Sequence, residues 1–536
     1  MAKGIVSAPQ PEATEVGLEI LAAGGNVVDA AIGAALVQTA VDPQMCGVAG
    51  FGSMQIYLPQ QGVHTFIDFH GKAPLATRPD MWEPLIIREC DDGFGFVLKD
   101  QVNEIGYQSA TTPLTIKAFD EALSRFGTRS LAQLLEPAIA YCEEGFTVRP
   151  HVHGFWLQPA QCGRIERIRV LRDHPATAKI YTKADGSIYR VGETLRNPDM
   201  GRTYRRIAQH GVDDFFHGEI AHRIAQDMAA HGGLISLDDL AASRTDTVEP
   251  LWTTYRGHRI ATNQPPGGGL MIVLMLNILE NFDLAAMGHN SPDYIATVSE
   301  AMKIATVEKD TRMGDPKFFD IPMDELTSKA FAAKMADRIR SGVKTHVPRM
   351  NAGNRESRET THICVADSSG ACVTMTHSLG SSSGVVTDGL GFMYNNCMMV
   401  FDPRPGNAGS LAPGKARFSA MSPTLVFKGD SPYFAVGAPG GTTITMGNLQ
   451  AILNAIDFEM SAQEAVSAPR FCTTSDTIEL TNRILRSTQR ELEARGYPVQ
   501  RYAHSYMMPM VHAVRMQGDR LDGGADPAGD GLAQTI

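Results

Sequence analysis

A polar run, Asn351-Ala352-Gly353-Asn354-Arg355-Glu356-Ser357-Arg358-Glu359, stops at Thr360, and the chain then turns apolar and β-branched through Ile363-Cys364-Val365-Ala366. No single element can absorb both halves. The polar half has a glycine and no apolar period, the pattern of an exposed loop open to cutting. Residues 363–365 and 371–376 read as two short buried strands, folded back on each other by the Asp367-Ser368-Ser369-Gly370 turn. Any fold built by this chain must therefore place a loop-to-strand junction at Thr360, with the hairpin behind it in the core.

That junction has a chemical use. A threonine hydroxyl is a weak nucleophile until an adjacent base activates it. If the chain is cut before Thr360, the new α-amine, with an ordinary pKa of about 7.7–8.0, can be that base. The plainer reading is that Thr-Thr-His opens a strand, because threonine favours strands. The triplet alone favours the plainer reading, and the rest of the chain overturns it.

Length and composition narrow the class. A chain of 536 residues, 43% apolar and 20% charged, can bury a large core, and its net charge of −11 argues against nucleic-acid binding, which needs a basic face. The N-terminus shows no apolar segment behind a basic one and no apolar run reaches 18 residues, so a cytoplasmic protein without membrane spans is expected. The eight cysteines are scattered without a C-x-x-C pair, which predicts buried free thiols and no zinc site. His151-Val152-His153, read as a strand, sets two imidazoles on one face, but no nearby carboxylate or thiol completes a metal set.

Along the chain, residues 12–21, 29–39, 114–126, 131–143, 270–279 and 294–311 have helical patterns, with more helix over 200–232 and 487–495. Residues 54–58, 63–69 and 255–262 read as strands, and the tail after Gln517 as loop. Gly267-Gly268-Gly269 lacks the Lys and Ser/Thr of a phosphate loop and reads as a tight turn at a helix start. Gly380-Ser381-Ser382-Ser383-Gly384 matches the G-x-S-x-G nucleophile elbow. That motif needs a following helix, and Val385-Val386-Thr387 is strand-like, which argues against Ser382 as nucleophile.

Taken together, Thr360-Thr361-His362-Ile363-Cys364-Val365-Ala366-Asp367, Met421-Ser422-Pro423-Thr424 and Gly437-Ala438-Pro439-Gly440-Gly441 resemble the small subunit of the γ-glutamyltranspeptidases. Gly24-Gly25-Asn26, Lys72-Ala73-Pro74, Pro265-Pro266-Gly267 and Gly314-Asp315-Pro316 extend the likeness in family order. The resemblance implies an α+β N-terminal-nucleophile fold, a four-layer αββα sandwich of two stacked sheets between helices. It also implies a proenzyme cut between Glu359 and Thr360 into a large subunit, 1–359, and a small one, 360–536, which together form one intertwined domain. Thr360 falls at the nucleophile, Ser378 at its hydroxyl partner, and Gly440 and Gly441 at the oxyanion-hole pair. No metal or organic cofactor is required.

The substrate positions depart from the family pattern. His70 stands where the family grips a carboxylate with arginine. The serine pair before Met-Ser-Pro is Ser419-Ala420, the acid and amide expected after Asn395-Asn396 are replaced by Cys397 to Val400, and Gly380 replaces an asparagine. A buried ammonium without an acceptor is costly. The expectation is an amidohydrolase for acyl groups without an amino-acid head, with His70 holding a polar acyl end. A segment over 400–418 that looks short for a lid favours water over an acceptor amine. This places the chain near the oxamate amidohydrolase and cephalosporin-acylase-like branches. The expected partners are a small-molecule amide and the chain's own two subunits, with a homo-oligomer left open. The alternatives are a true γ-glutamyltranspeptidase or glutathione hydrolase, and an unprocessed binding protein.

Overall fold

Two large sheets, in which every neighbouring pair is antiparallel, carry the core of the computed structural model, which describes residues 4–91, 95–348, 360–506 and 509–536. In chain order their strands are β1 (Gly4–Ala8), β2 (Phe51–Leu58), β3 (Val63–Phe69), β4 (Asp246–Val248), β5 (Leu251–Tyr255), β6 (His258–Thr262), β7 (Thr361–Asp367), β8 (Cys372–Ser378), β9 (Thr424–Lys428), β10 (Ser431–Gly437), β11 (His512–Gln517), β12 (Arg520–Ala525) and β13 (Leu532–Thr535). The first sheet runs β13-β1-β7-β8-β2-β3-β4 and the second β12-β11-β10-β9-β6-β5.

Strand alternation makes the layers. Along β7, Ile363 and Val365 pack outward with helices α1 (Pro11–Ala22) and α2 (Val27–Val41), whereas Cys364 and Ala366 pack inward against Leu425, Ala435 and Val514 of the second sheet. The outer face of the second sheet is covered by α3 (Gly269–Leu279), α4 (Pro292–Arg312) and α5 (Ile444–Ile456). The result is helix, sheet, sheet, helix, as expected. The hairpin turn closes through Asp367, whose side chain accepts from Ser369 N at 2.8 Å, with Gly370 at φ +85°.

Helix α2 is buried along its whole length, so its start must be fixed locally. Asn26 Oδ1 accepts from Val28 N and Asp29 N at 2.9 and 3.0 Å, and Asp29 returns a bond to Asn26 N. Its far end points Gln38 at the hairpin.

Four expectations are corrected. His151 and His153 lie on a helix, Pro150–Trp156, and among the described residues no group of three or more His, Cys, Asp or Glu could hold a metal. The strand over 255–262 is two strands, because Arg256 and Gly257 both adopt positive φ and reverse the chain. The late helix, expected over 487–495, runs from Arg486 to Ala494. The tail is not loop: β12 and β13 close the edges of the two sheets. The polar run before Thr360, with the expected cut after Glu359, lies outside the described residues.

Candidate active site

Thr360 sits one residue before the central strand β7, is 6% exposed, and holds φ at +119°, a conformation that β-branched residues rarely adopt. Its Oγ1 donates to Ser378 Oγ at 2.9 Å, at the end of the neighbouring strand β8, and Ser378 Oγ also accepts from Gly380 N at 2.8 Å. The pairing of β7 with β8, with Thr361 opposite His377, brings the two hydroxyls together. Gly380 needs its φ of +68°, and a Cβ there would meet Asn396 Oδ1 at 2.6 Å.

The residue after Thr360 is held from behind. Thr361 Oγ1 accepts from Gln38 Nε2 at 3.0 Å and donates to Gln10 Oε1 at 3.2 Å; Gln38 Oε1 bonds His377 Nε2 at 2.8 Å. Gln10 Nε2 donates to Asp42, whose carboxyl burial pushes up to about 6. His377 is held down to about 3 by burial and is neutral at pH 7. His362 faces between the sheets, bonded to Thr376 Oγ1 at 2.8 Å and Thr374 Oγ1 at 3.1 Å, and burial keeps it neutral too. A polar network of this kind fixes a backbone position because each buried group needs its partner.

A narrow pocket opens on Thr360. Its walls include Gly380, Cys397, Val400, Ser419 and Gly441, as well as Asn396, Met399, Ala420, Met421 and Ile444, and two cations, Arg164 and Arg417. Gly441 follows Gly440 at the start of the turn that runs into α5, where backbone N–H groups point outward. A Cβ on Gly440, at φ +143°, would lie 2.7 Å from Pro509 Cβ. Ser419 is anchored by its N–H to Pro266 O at 2.8 Å, and Gly268 N donates to Met421 O at 2.8 Å. The triple glycine therefore serves close packing: a Cβ at Gly268 would be 2.5 Å from Ala420 O.

The structure brings together Thr360, Ser378, Gly380, Cys397, Val400, Ser419 and Gly441, with Gly440 beside them. His70 lies elsewhere. It is buried behind the pocket, no hydrogen bond reaches either ring nitrogen, and Asp68 Oδ1 is 3.7 Å away. Burial first, and the Arg417 charge next, hold it down to about 3, so a neutral imidazole stands where a carboxylate contact was expected. Asn395 and Asn396 are scaffold: Asn395 bonds Thr111 and Cys397 N, and Asn396 accepts from Ser381 N at 2.7 Å. Ser382 is fully buried with φ +55°, and no helix follows it, so the elbow is not formed. Arg164 and Arg417 were not singled out from sequence. The one available signal was the position of Arg417 two residues before Ser419.

Among the described lining residues there is no Asp, Glu or His. Among the described lining residues, none is a side-chain base for Thr360 and none is an anion that could pair with an ammonium.

The γ-glutamyltranspeptidase family model matches residues 13–536. An acylase ACY 1 proenzyme from Pseudomonas sp. (strain V22) is 36% identical over 503 residues, covering 93% of this chain and 88% of its own. A glutathione hydrolase proenzyme from Escherichia coli (strain K12) is 32% identical over 550 residues, covering 98% and 90%. The crystal structure of a cephalosporin acylase from Bacillus halodurans superposes with a TM-score of 0.88 at 27% identity, over 99% of this chain and 96% of that one.

Proposed function

The chain belongs to the γ-glutamyltranspeptidase family and is an amidohydrolase of the N-terminal-nucleophile class; from that premise we propose that it cuts itself before Thr360 and then hydrolyses amides whose acyl group carries an anionic end and no ammonium. One observation supports both halves: the lining around Thr360 holds two arginines and, among its described residues, no carboxylate or imidazole.

With no side-chain base among the described lining residues, the α-amine freed by cleavage is the group that can deprotonate Thr360 Oγ1. The two guanidinium groups in the same pocket favour its neutral, basic form, because like charge disfavours protonation. The positive φ of Thr360 is a strain of about 1–3 kcal/mol that cleavage releases. In the reaction, Oγ1 attacks the amide carbonyl while the α-amine takes its proton, and Ser378 turns its hydroxyl toward the attacking oxygen. The N–H groups of Gly440 and Gly441 face the developing oxyanion. The C–N bond breaks as the amine nitrogen receives the proton, and water then attacks the Thr360 ester to release the acid.

Substrate choice follows from charge. The acyl chain lies between Cys397, Met399 and Val400, with its anionic end toward Arg417. A γ-glutamyl group is a glutaryl group with one added α-ammonium. At 4–8 Å from a guanidinium and an effective dielectric of about 20, that ammonium costs about 2–4 kcal/mol. The test is kcat/KM for glutaryl- and γ-glutamyl-p-nitroanilide, which differ only in that group. The expected preference for glutaryl is about 30-fold or more. Equal rates, or faster γ-glutamyl turnover, would refute the acyl-group reading and return the protein to the γ-glutamyl hydrolases.

A further inference from the structure

The loop that follows Ser378 is held in an unfavourable shape. Within Gly380-Ser381-Ser382-Ser383-Gly384, Gly380 and Gly384 hold φ at +68° and +74°, and Ser382, which carries a side chain, holds +55°. A serine in the left-handed region relaxes unless its surroundings prevent it. Relaxation would matter here. Gly380 N donates to Ser378 Oγ at 2.8 Å, and Ser378 Oγ accepts from Thr360 Oγ1 at 2.9 Å.

Ser381 is gripped on both sides of its backbone. Its N–H donates to Asn396 Oδ1 at 2.7 Å, and its carbonyl accepts from Arg167 Nη1 at 2.9 Å. Both grips lead to Glu104. The Glu104 carboxylate accepts from Arg167 Nη2 at 3.0 Å and from Ile165 N at 3.2 Å, and the Glu104 backbone carbonyl accepts from Asn396 Nδ2 at 3.0 Å. Arg167 and Glu104 are 3% and 5% exposed. An ion pair buried so deeply adds little net stability, since apolar residues of similar volume serve as well or better. A guanidinium is rigid, however, and presents several N–H groups in fixed directions. Held by a carboxylate, it sets the position of a backbone carbonyl.

We infer that Arg167, oriented by Glu104, is a positioning residue for the reaction: by fixing Ser381 it fixes Gly380 N, which holds Ser378 Oγ through the proton transfer. The assignment rests on Thr360 being the nucleophile. Before attack, Ser378 Oγ accepts from both Thr360 Oγ1 and Gly380 N. Once the α-amine has taken the Thr360 proton, the Ser378 O–H donates to Thr360 Oγ1 and the bond from Gly380 N persists. No proton leaves Ser378. The Gly380 bond is common to both states and keeps Ser378 Oγ in place as its hydrogen turns.

A double-mutant cycle separates this role from general support of the fold. The variants are Arg167→Met, Ser378→Ala and the two combined, assayed with glutaryl-p-nitroanilide, with rates taken per cleaved chain as counted by intact mass. Arg167→Met should lower kcat about two- to tenfold, no more than Ser378→Ala does, and leave KM within about twofold. In the Ser378→Ala background the same substitution should change kcat by less than about twofold, because the group it positions is gone. Losses that multiply, an unchanged kcat in Arg167→Met, or a loss confined to KM overturns the assignment. If Arg167→Met does not fold, Glu104→Gln/Arg167→Met, which leaves no unpaired carboxylate at position 104, takes its place with the same expectations. If the wild type leaves this amide intact, the acyl-group reading has failed. In that case, or if the Ser378→Ala variants stay uncut, hydrogen exchange decides the clamp. Exchange that rises about tenfold or more over residues 379–384 in the Arg167 variant, with β7 and β8 protected as in the wild type, supports it. Unchanged exchange, or a rise through both strands, refutes it.

Discussion

Arg417→Gln tests the acyl-group reading most directly. Glutamine keeps a polar side chain and removes the charge. A hydrogen bond to a charged partner contributes about 1.5–3 kcal/mol and a neutral one about 0.5–1.5. The substitution should therefore cost about 1–2 kcal/mol of transition-state binding for an anionic acyl group, a loss of about five- to thirtyfold in kcat/KM. A neutral acyl group of the same length has no such bond to lose. His70 cannot take over, because burial is the larger cause of its low pKa and persists without Arg417. The assay is release of p-nitroaniline from glutaryl- and pentanoyl-p-nitroanilide at pH 7.5, with intact mass confirming that the variant is processed like the wild type. The glutaryl rate should fall and the pentanoyl rate stay within about twofold. If both fall together, Arg417 only supports the pocket wall, and if neither falls, the anion does not bind there. Either result refutes the charge argument.

Further predictions concern the proposed nucleophile and its supports. Thr360→Ala should stay one 58.0 kDa chain while the wild type gives fragments of 359 and 177 residues, the smaller beginning at Thr360; intact mass decides, and an uncut wild type would remove the proposed base. Ser378→Ala removes the partner of Thr360 Oγ1 and should lower kcat about two- to tenfold with little change in KM, as expected for a neutral hydrogen bond. Gly440→Ala puts a Cβ 2.7 Å from Pro509 at φ +143°, and displacing that N–H should cost about 10²–10³ in kcat. Asp68 is buried, accepts from Ser53, and is pushed up to about 7, so the folded state holds its proton more tightly than the unfolded chain does. Its stabilising contribution is complete below about pH 4 and is lost as pH rises through about 7. Thermal denaturation should therefore show Asp68→Asn gaining on the wild type between pH 5 and pH 8, and a gap that does not move with pH would refute the assignment.

Local chemistry was legible in the chain itself. The alternation through β7, the Asp367–Gly370 turn and the start of a buried strand just after Thr360 are short-range patterns that the backbone reads directly. They were enough to place the strand that follows Thr360 and, with the spaced motifs, to identify the family and its layered fold. The sheet edges were not legible. β12 carries Gly523 and Gly524 because a Cβ at either would strike Ala533 or Ala462, so a closely packed strand looks like loop in sequence. The pocket's charge was equally hidden. Arg164 and Arg417 stand 253 residues apart in the chain, and only the packing of the two halves turns both toward Thr360 while leaving His70 behind the wall. Residue type and spacing determined which groups could react; burial and long-range contact decided which of them face the substrate and in what charge state.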